Sequence, residues 1–237
     1  MMTASDFYDA LAGRYHLLFE DWWSAAQRHG EVIAAALSAR GVGSGRVLDA
    51  TCGTGTQALP LAAAGYSVVG TDVSREAVGR AGTEAALRHL EVDLMVRDVR
   101  ELDAEAIGVF DAVISCDNAL PHLLNDEDLA RALANLWHCL RPSGVLLVSI
   151  RDYDTLREQR PEGVPVSVHG VPGSRHAVGQ SWHWSSDAEY VDFELFTFSR
   201  RVPAAGGANR CPPATERCGG RPCRTPYLQQ GSGSSSG

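Results

Sequence analysis

The sequence predicts an α/β fold in which a doubly wound parallel sheet is followed by an antiparallel β arm. Between residues 46 and 150, apolar strand-like runs alternate with helical patterns, which is typical of βαβ units on a parallel sheet. A glycine turn follows the first of these runs, at the place where such folds bind ligands. From Arg175 to Phe198 the hydrophobic period changes to two, which indicates an antiparallel hairpin beyond the main sheet.

The same alternation predicts the bounds of the elements. We expect strands at 46–50, 67–71, 92–96, 110–116 and 145–150, and helices between them at 56–64, 75–90 and 126–140. Before the sheet, residues 5–23 are aromatic-rich and predicted to be helical, and residues 31–40 are predicted to form an alanine-rich helix. Pro60 would cost about 3 kcal/mol in a helix interior, so its helix is expected to begin a little late.

The stretch after Arg201 has a different composition. Residues 201–237 are rich in Gly, Pro, Arg, Cys and Ser, and they contain neither a helical stripe nor a strand-like run. We expect this tail to be disordered. A shift of reading frame near Arg201 is one hypothesis that explains the change.

Length and composition favour one substantial cytoplasmic domain. The chain has 237 residues, of which 44% are hydrophobic, and this is enough for one core. No apolar run is long enough to span a bilayer, and the first ten residues are acidic where a signal peptide would be basic. Cys52, Cys116 and Cys139 lie in apolar contexts and are expected to be buried free thiols. We expect no metal site.

The charged residues exclude several classes of protein. All 21 basic residues are arginine, so a P-loop lysine, a Schiff-base lysine and a Tyr/Lys dehydrogenase pair are excluded. The formal net charge of −8 argues against an extended nucleic-acid surface, which normally shows a basic excess. We therefore expect neither a nucleic-acid nor a membrane partner, and the sequence does not indicate an oligomeric state.

The segment 46–57, RVLDATCGTGTQ, joins a short apolar strand to a glycine turn and a helix. A dinucleotide site would read G-x-G-x-x-G with a diphosphate on the helix N terminus, but Ala58 stands where the third glycine would be. Asp49 precedes the glycines, and its carboxylate would repel a diphosphate but attract the ammonium and sulfonium groups of S-adenosylmethionine. The alternative is that Asp49 is only a polar residue that ends a strand.

Two further acids follow the ends of the next two strands. Asp72 closes the second strand, where a carboxylate can accept hydrogen bonds from both ribose hydroxyls. Asp98 follows the third strand, where it can accept from an adenine amino group while Val99 packs on the ring. Either acid could be a helix cap, Asp72 in particular. Three acids at three consecutive strand ends nevertheless favour one nucleoside site.

The motifs VLDATCGTG, GTDVS, RDVREL and LRPSGVLLVS resemble those of class I S-adenosylmethionine-dependent methyltransferases over about residues 40–150. The segments YDALAGRYHLLFEDWW, DNALPHLL, SIRDYD and QSWHWSSDAEY are similar to the bacterial glycine/sarcosine N-methyltransferases, which extends the resemblance to about residue 198. The resemblance implies a Rossmann-like fold, S-adenosyl-L-methionine as cofactor, and a small amino acid or related amine as methyl acceptor.

The resemblance also implies a division of the chain. Residues 1–40 would close over the cofactor, 41–155 would form the methyltransferase core, and 156–200 would form a hairpin arm over the active site. The tail, 201–237, does not match the last helix and strand pair of the family, so we expect the fold to lack them. The cofactor site would then include Thr51, Gly53, Gly55 and Cys116 beside the three acids.

The amino-terminal segment supplies three further candidates. Tyr15, Trp22 and Arg28 are expected to close the cofactor site, with Arg28 near the methionine carboxylate. An aromatic stripe at helical spacing is often part of the core, so Tyr15 and Trp22 fit either role.

Three residues are candidates for the acceptor side. Arg151 follows the fifth strand, where a guanidinium can hold a carboxylate through two parallel hydrogen bonds. The alternative for Arg151 is an ion pair with Asp152 or Asp154. By resemblance, Asn118 orients the acceptor and His122 lies near the methyl donor, although His122 fits a structural role equally well.

The sequence leaves two alternative functions open. The chain could be an inactive or weakly active remnant that only binds the cofactor, because the expected final strands are missing. A Rossmann-type nucleotide-binding oxidoreductase would have the same topology.

Overall fold

The computed structural model describes residues 3–170 and 175–199, which all lie in the first of two units of the chain, Met1–Arg201. The tail that we predict to be disordered, residues 201–237, lies outside the described residues. The proposed frame shift near Arg201 lies there as well.

A five-stranded parallel sheet forms the centre of the fold and confirms the predicted α/β class. The strands follow the order β3-β2-β1-β4-β5. Chain connections run outward from β1 in both directions, so the point where the strand order reverses lies between β1 and β4. The strands are β1 (Arg46–Asp49), β2 (Ser67–Asp72), β3 (Asp93–Val96), β4 (Phe110–Ser115) and β5 (Leu140–Val148).

The register brings the strand ends together at one edge. Asp49 pairs with Gly70 of β2 and with Ile114 of β4, and Asp72 pairs with Val96 of β3. Because all neighbours are parallel, the residues that follow each strand lie side by side. The strand positions expected from the sequence are confirmed to within a few residues, apart from an irregular start of β5.

Within residues 3–170 and 175–199 there are seven α-helices, and the predicted amino-terminal helices have different bounds. The expected helix over 5–23 is wrong, because α1 ends at Ala12 and a 3-10 turn covers Tyr15–Leu18. The next helix begins at Trp22, where the carboxylate of Asp21 accepts a hydrogen bond from the backbone N–H of Ser24 at 2.9 Å. The helices are α1 (Ala4–Ala12), α2 (Trp22–Ser38), α3 (Ala58–Ala63), α4 (Arg75–Leu87), α5 (Ala104–Ile107), α6 (Asp126–His138) and α7 (Tyr153–Gln159).

Helix α3 begins late, as Pro60 requires. Its first residue is Ala58, so the proline is the third residue of the helix, where the backbone has no N–H partner within the helix. Pro60 packs closely against Gly30 of α2, where an added Cβ would lie 2.5 Å from the Cβ of the proline. The contact between α2 and α3 therefore depends on a glycine.

A second, three-stranded antiparallel sheet forms the arm. It consists of β6 (Gly163–His169), β7 (His176–Trp184) and β8 (Val191–Ser199), in that order. The predicted hairpin is β7–β8, and β6 is an addition that the sequence did not indicate. Pro165 breaks the strand signal of β6, and a proline is tolerated there because β6 lies at the edge of this sheet.

Apolar side chains fill both faces of the parallel sheet. Val47 and Ile114 are buried on one face, and Leu48 and Val113 on the other. Cys52, Cys116 and Cys139 are buried free thiols, as expected. No helix in the described ranges has the length and apolar character needed to cross a membrane.

Candidate active site

The carboxyl ends of β1 to β4 and the inner side of α1 surround a cavity of about 620 Å³. Small-molecule sites typically have volumes of about 300–1,000 Å³. The cavity lies beside the point where the strand order reverses, the place where open α/β sheets bind ligands.

The glycine turn after β1 forms one wall of this cavity. Gly53 has a φ of +51°, and a Cβ added there would meet no atom within 4 Å, so the turn leaves space beside the backbone. Gly55 has a φ of +89° and packs inward, where an added Cβ would lie 2.7 Å from Leu59. The two glycines therefore have different functions: Gly53 opens the site and Gly55 allows α3 to pack.

Asp72 holds the glycine turn in place from the end of β2. Its Oδ2 accepts a hydrogen bond from the backbone N–H of Gly53 at 2.9 Å, and its Oδ1 accepts one from that of Ser74 at 2.8 Å. Burial raises the pKa of this carboxyl. Asp72 thus lines the cavity and stabilises the start of α4 together with Ser74, which is the N-cap residue of that helix.

Asp49 lies in the interior, at the end of β1. It is 0% exposed, and burial raises its pKa to about 8. Its Oδ1 accepts a long hydrogen bond of 3.4 Å from the backbone N–H of Thr51. Within residues 3–170 and 175–199, Asp49 Oδ2 and Thr54 Oγ1 are buried without a hydrogen-bond partner. A buried, charged carboxylate oxygen with no partner is costly, so the neutral form of this carboxyl is favoured in the ligand-free protein.

Asp98 is engaged by an arginine that the sequence did not single out. Both carboxylate oxygens of Asp98 accept hydrogen bonds from Arg100 Nε, at 3.0 and 3.1 Å, and this pair lowers the pKa of Asp98. Arg100 also donates to Asp128 of α6 at 2.8 Å. The network joins the end of β3 to α6, and all three side chains line the cavity beside Val99.

Helix α1 covers the cavity and contacts both of its sides. The hydroxyl of Tyr8 lies 3.0 Å from Nε2 of His122, and Asp9 accepts a hydrogen bond from the hydroxyl of Ser74 at 2.6 Å. Burial lowers the pKa of His122, and the positive charge of Arg151 adds to this effect, so the imidazole is neutral at pH 7. Tyr15 lines the same wall.

The turn after β4 has an unusual backbone. Asp117 and Asn118 have φ values of +55° and +67°, a left-handed conformation that Asp and Asn adopt more readily than other side chains. Oδ1 of Asn118 accepts a hydrogen bond from the backbone N–H of Arg151 at 3.1 Å, and its Nδ2 donates to the hydroxyl of Tyr153 at 2.8 Å. Asn118 therefore ties the turn after β4 to the segment after β5.

The guanidinium of Arg151 lies over the ring of Trp182, 5.1 Å from its centroid. In the described part of the chain it forms no ion pair with Asp152 or Asp154. Asp152 instead caps α7 by accepting a hydrogen bond from the backbone N–H of Thr155. Arg151 is exposed and lies at the arm side of the site.

The predicted site residues fall into two groups. Some line the cavity: Tyr15, Thr51, Gly53, Asp72, Asp98, Val99, Cys116 and His122. Others do not line it: Trp22, Arg28, Asp49, Gly55, Asn118 and Arg151. The Trp22 indole is buried and donates to the hydroxyl of Thr56 at 3.2 Å, whereas Arg28 is exposed on α2. The predicted roles of all these residues in binding and catalysis stay predictions.

Sequence reasoning missed several cavity residues, among them Tyr8, Gln57, Arg100 and Asp117. The Asp-Asn pair directly after a strand was a usable signal for Asp117, because it marks a left-handed turn. Nothing in the local pattern around Tyr8 indicates that it reaches His122, which lies 114 residues away in sequence.

Comparisons with known proteins agree with this geometry. Residues 47–144 match a family model described as a methyltransferase domain. The glycine/sarcosine N-methyltransferase of Halorhodospira halochloris is 35% identical over 134 residues, covering 56% of this chain and 49% of that protein. The predicted resemblance to methyltransferases is confirmed. The corresponding methyltransferase of Parasynechococcus marenigrum is 34% identical over 138 residues, covering 58% of this chain and 48% of that protein. The chain thus spans about half the length of these curated relatives.

Two solved structures share the fold. DesVI of Streptomyces venezuelae superposes with a TM-score of 0.60 at 20% identity, covering 84% of each chain. CalS10 of Micromonospora echinaspora, an amino pentose methyltransferase, has a TM-score of 0.60 at 21% identity, covering 82% of this chain and 83% of that one. At this level of identity the similarity concerns the fold alone.

Proposed function

We propose that this chain transfers a methyl group from S-adenosyl-L-methionine to the amine of a small amino acid such as glycine or sarcosine. The observation that carries the proposal is the position of Asp72 and Asp98, at the ends of β2 and β3, on one cavity beside an open glycine turn. Asp49, at the end of β1, is buried next to this turn. The curated relatives named glycine/sarcosine N-methyltransferases support the choice of acceptor.

The residues present fit this cofactor. The open space at Gly53 and the unpartnered Oδ2 of Asp49 suit a ligand that brings an ammonium group to the turn. Such a cation would lower the pKa of Asp49 again, because it stabilises the charged carboxylate. Asp72 and Asp98 are the candidates for the ribose and adenine ends, with Val99 against the ring.

When bound, S-adenosyl-L-methionine supplies a methyl group that is already activated by its sulfonium. The chain then has to align the acceptor nitrogen with the methyl carbon and exclude water. Helix α1 suits the second task, since Tyr8 and Asp9 hold it across the cavity through His122 and Ser74.

Arg151 and Asn118 are the proposed acceptor residues. Arg151 is the cationic side chain next to the turn after β4, and a guanidinium there can pair with the carboxylate of an amino acid. Asn118 fixes the backbone of Arg151, which keeps the cation at the carboxyl edge of the sheet.

A second candidate function is cofactor binding without turnover. It is favoured by the position of β5 at the edge of the described sheet, where Val148 and Ile150 are 38% and 59% exposed. An open edge of this kind weakens the segment that carries Arg151.

Mass spectrometry of reaction mixtures distinguishes the two functions. The full chain is incubated with S-adenosyl-L-methionine and, separately, with glycine, sarcosine, dimethylglycine and a set of larger amino acids. The proposal predicts a mass increase of one methyl group on glycine or sarcosine. Methylation of only larger amino acids would contradict the choice of acceptor, and cofactor binding without any methylated product would support the second candidate.

A further inference from the structure

The carboxylate of Asp117 faces the cavity from the turn after β4. Its side chain is exposed there, and its Oδ2 accepts a hydrogen bond of 2.7 Å from Nε2 of Gln57. Gln57 is itself buried, with 3% of its surface exposed. Across residues 3–170 and 175–199, Oδ1 of Asp117 has no hydrogen-bond partner. One oxygen is therefore fixed, and the other is available to a ligand.

The backbone around Asp117 is held as firmly as its side chain. The N–H of Asp117 donates to the hydroxyl of Ser149 at 3.1 Å, and the N–H of Asn118 donates to the carbonyl of Ser149 at 3.2 Å. Asn118 also accepts a hydrogen bond from the backbone N–H of Arg151. Asp117 and Arg151 are thus both tied to one asparagine at the same edge of the sheet, and the guanidinium of Arg151 lies over Trp182.

This pairing of charges matches an amino acid zwitterion, which carries one ammonium and one carboxylate group. We propose that Asp117 binds the amine of the methyl acceptor and takes its proton, while Arg151 holds the acceptor carboxylate. The inference rests on the proposed function and adds to it a group that selects for an amine.

The proton moves from the acceptor to Asp117 before the methyl group is transferred. Asp117 accepts one proton from the acceptor ammonium, which leaves a neutral amine with a free lone pair. That lone pair forms the bond to the methyl carbon as the carbon–sulfur bond breaks, and the electron pair of that bond stays on sulfur. The protonated Asp117 then releases its proton to water, and the product leaves as a methylated ammonium.

Other titratable groups near the turn are poorly suited to this role. Burial raises the pKa of Tyr8 to about 12, and it also raises the pKa of Tyr15, so both stay as neutral hydroxyls at pH 7. His122 is neutral, but its Nε2 is already engaged by the hydroxyl of Tyr8. Within the part of the chain that the structure describes, Asp117 lines the cavity and keeps one carboxylate oxygen, Oδ1, without a hydrogen-bond partner.

The test compares glycine with glycolate, which has a hydroxyl in place of the amine. Each is titrated calorimetrically into the full chain loaded with S-adenosyl-L-homocysteine. In D117N, we expect glycine affinity to fall by at least about ten-fold, because a charged hydrogen bond is lost, while glycolate affinity stays unchanged. Asn adopts the left-handed conformation as readily as Asp, so the turn keeps its shape.

Two further variants act as controls. D117G removes the side chain but suits the positive φ, and we expect it to lose glycine affinity as D117N does. D93N makes the same charge change at the exposed start of β3 and is expected to bind glycine like the unchanged protein. Unchanged glycine affinity in D117N, or equal losses for glycine and glycolate, would overturn the inference. Failure of the proposed function is a separate result, since the unchanged protein would then bind no S-adenosyl-L-homocysteine or yield no methylated amine.

Discussion

Arg151 is the residue on which the proposed recognition of the acceptor carboxylate depends. In R151A we expect the KM for the amino acid to rise by roughly 10–100-fold, because a charged hydrogen bond contributes about 1.5–3 kcal/mol. The KM for the cofactor should stay nearly constant. Steady-state kinetics with each substrate varied in turn measure both values, and R151K should give an intermediate result because lysine cannot form two parallel bonds. Equal increases of both KM values would contradict the proposed role of Arg151 in binding the acceptor carboxylate.

Asp49 makes the stability of the ligand-free protein depend on pH. Its pKa is about 8 in the folded chain, against about 3.9 for an unfolded aspartate. Between these values the folded state binds more protons than the unfolded state, so the free energy of unfolding falls as pH rises. We expect a decline between pH 4 and pH 8 of up to about 1.4 kcal/mol per pH unit.

Denaturant unfolding at several pH values measures this decline. D49N cannot titrate, so we expect its free energy of unfolding to be flatter over the same range. D93N keeps Asp49 and should follow the unchanged protein. The same slope in D49N and the unchanged protein would show that other groups cause the decline.

The site residues that could be predicted are those whose position follows from the strands alone. Asp72 and Gly53 lie at strand ends, and parallel pairing brings strand ends together. Tyr8 reaches His122, and Gln57 reaches Asp117, only through tertiary packing, which the local pattern does not contain. For the same reason, the sequence did not reveal that Arg100 engages both oxygens of Asp98.

At the scale of elements, the contact between α2 and α3 depends on Gly30. A Cβ at this position would lie 2.5 Å from Cβ of Pro60, whose ring cannot move aside. We therefore expect G30A to lower the free energy of unfolding by about 1–3 kcal/mol, although alanine is the better helix former. Denaturant unfolding is the measurement.

Gly79 of α4 provides the matched control, since a Cβ added there meets no atom within 4 Å. G79A should raise the free energy of unfolding by up to about 1 kcal/mol through helix propensity alone. If G30A instead raised the free energy of unfolding, α2 and α3 would be able to move apart at little cost.

Most elements could be predicted because their hydrophobic periods are regular. The exceptions have local causes. Asp21 starts α2 earlier than its alanine-rich part suggests, and Pro165 hides an edge strand that the arm needs. For α3, in contrast, Pro60 alone was enough to predict from the sequence that the helix begins late.

At the scale of the whole molecule, the order of the strands would allow both proposed substrates to meet at one edge of the sheet. The proposed donor side lies at the ends of β1, β2 and β3, and the proposed acceptor residues follow β4 and β5, with the reversal of strand order between them. In the arm, Trp182 packs against Arg151, and Phe193 packs against Phe7 of α1. The arm therefore contacts both the segment after β5 and helix α1.

Ligand binding should therefore stabilise the whole described unit. At a concentration of S-adenosyl-L-homocysteine about 100 times its Kd, we expect the free energy of unfolding to rise by about 2.7 kcal/mol. A single cooperative thermal transition should move to higher temperature with the ligand. A transition that does not move would indicate that the cavity does not hold this ligand.

The central claim is that the cavity is a methyl-donor site and not a dinucleotide site. Calorimetric titration of the full chain with S-adenosyl-L-homocysteine and, separately, with NADH tests it most directly. We predict one-to-one binding of S-adenosyl-L-homocysteine and no binding of NADH, because the third glycine is missing and Asp72 already accepts a hydrogen bond from the backbone N–H of Gly53. Binding of NADH in place of S-adenosyl-L-homocysteine would contradict the claim.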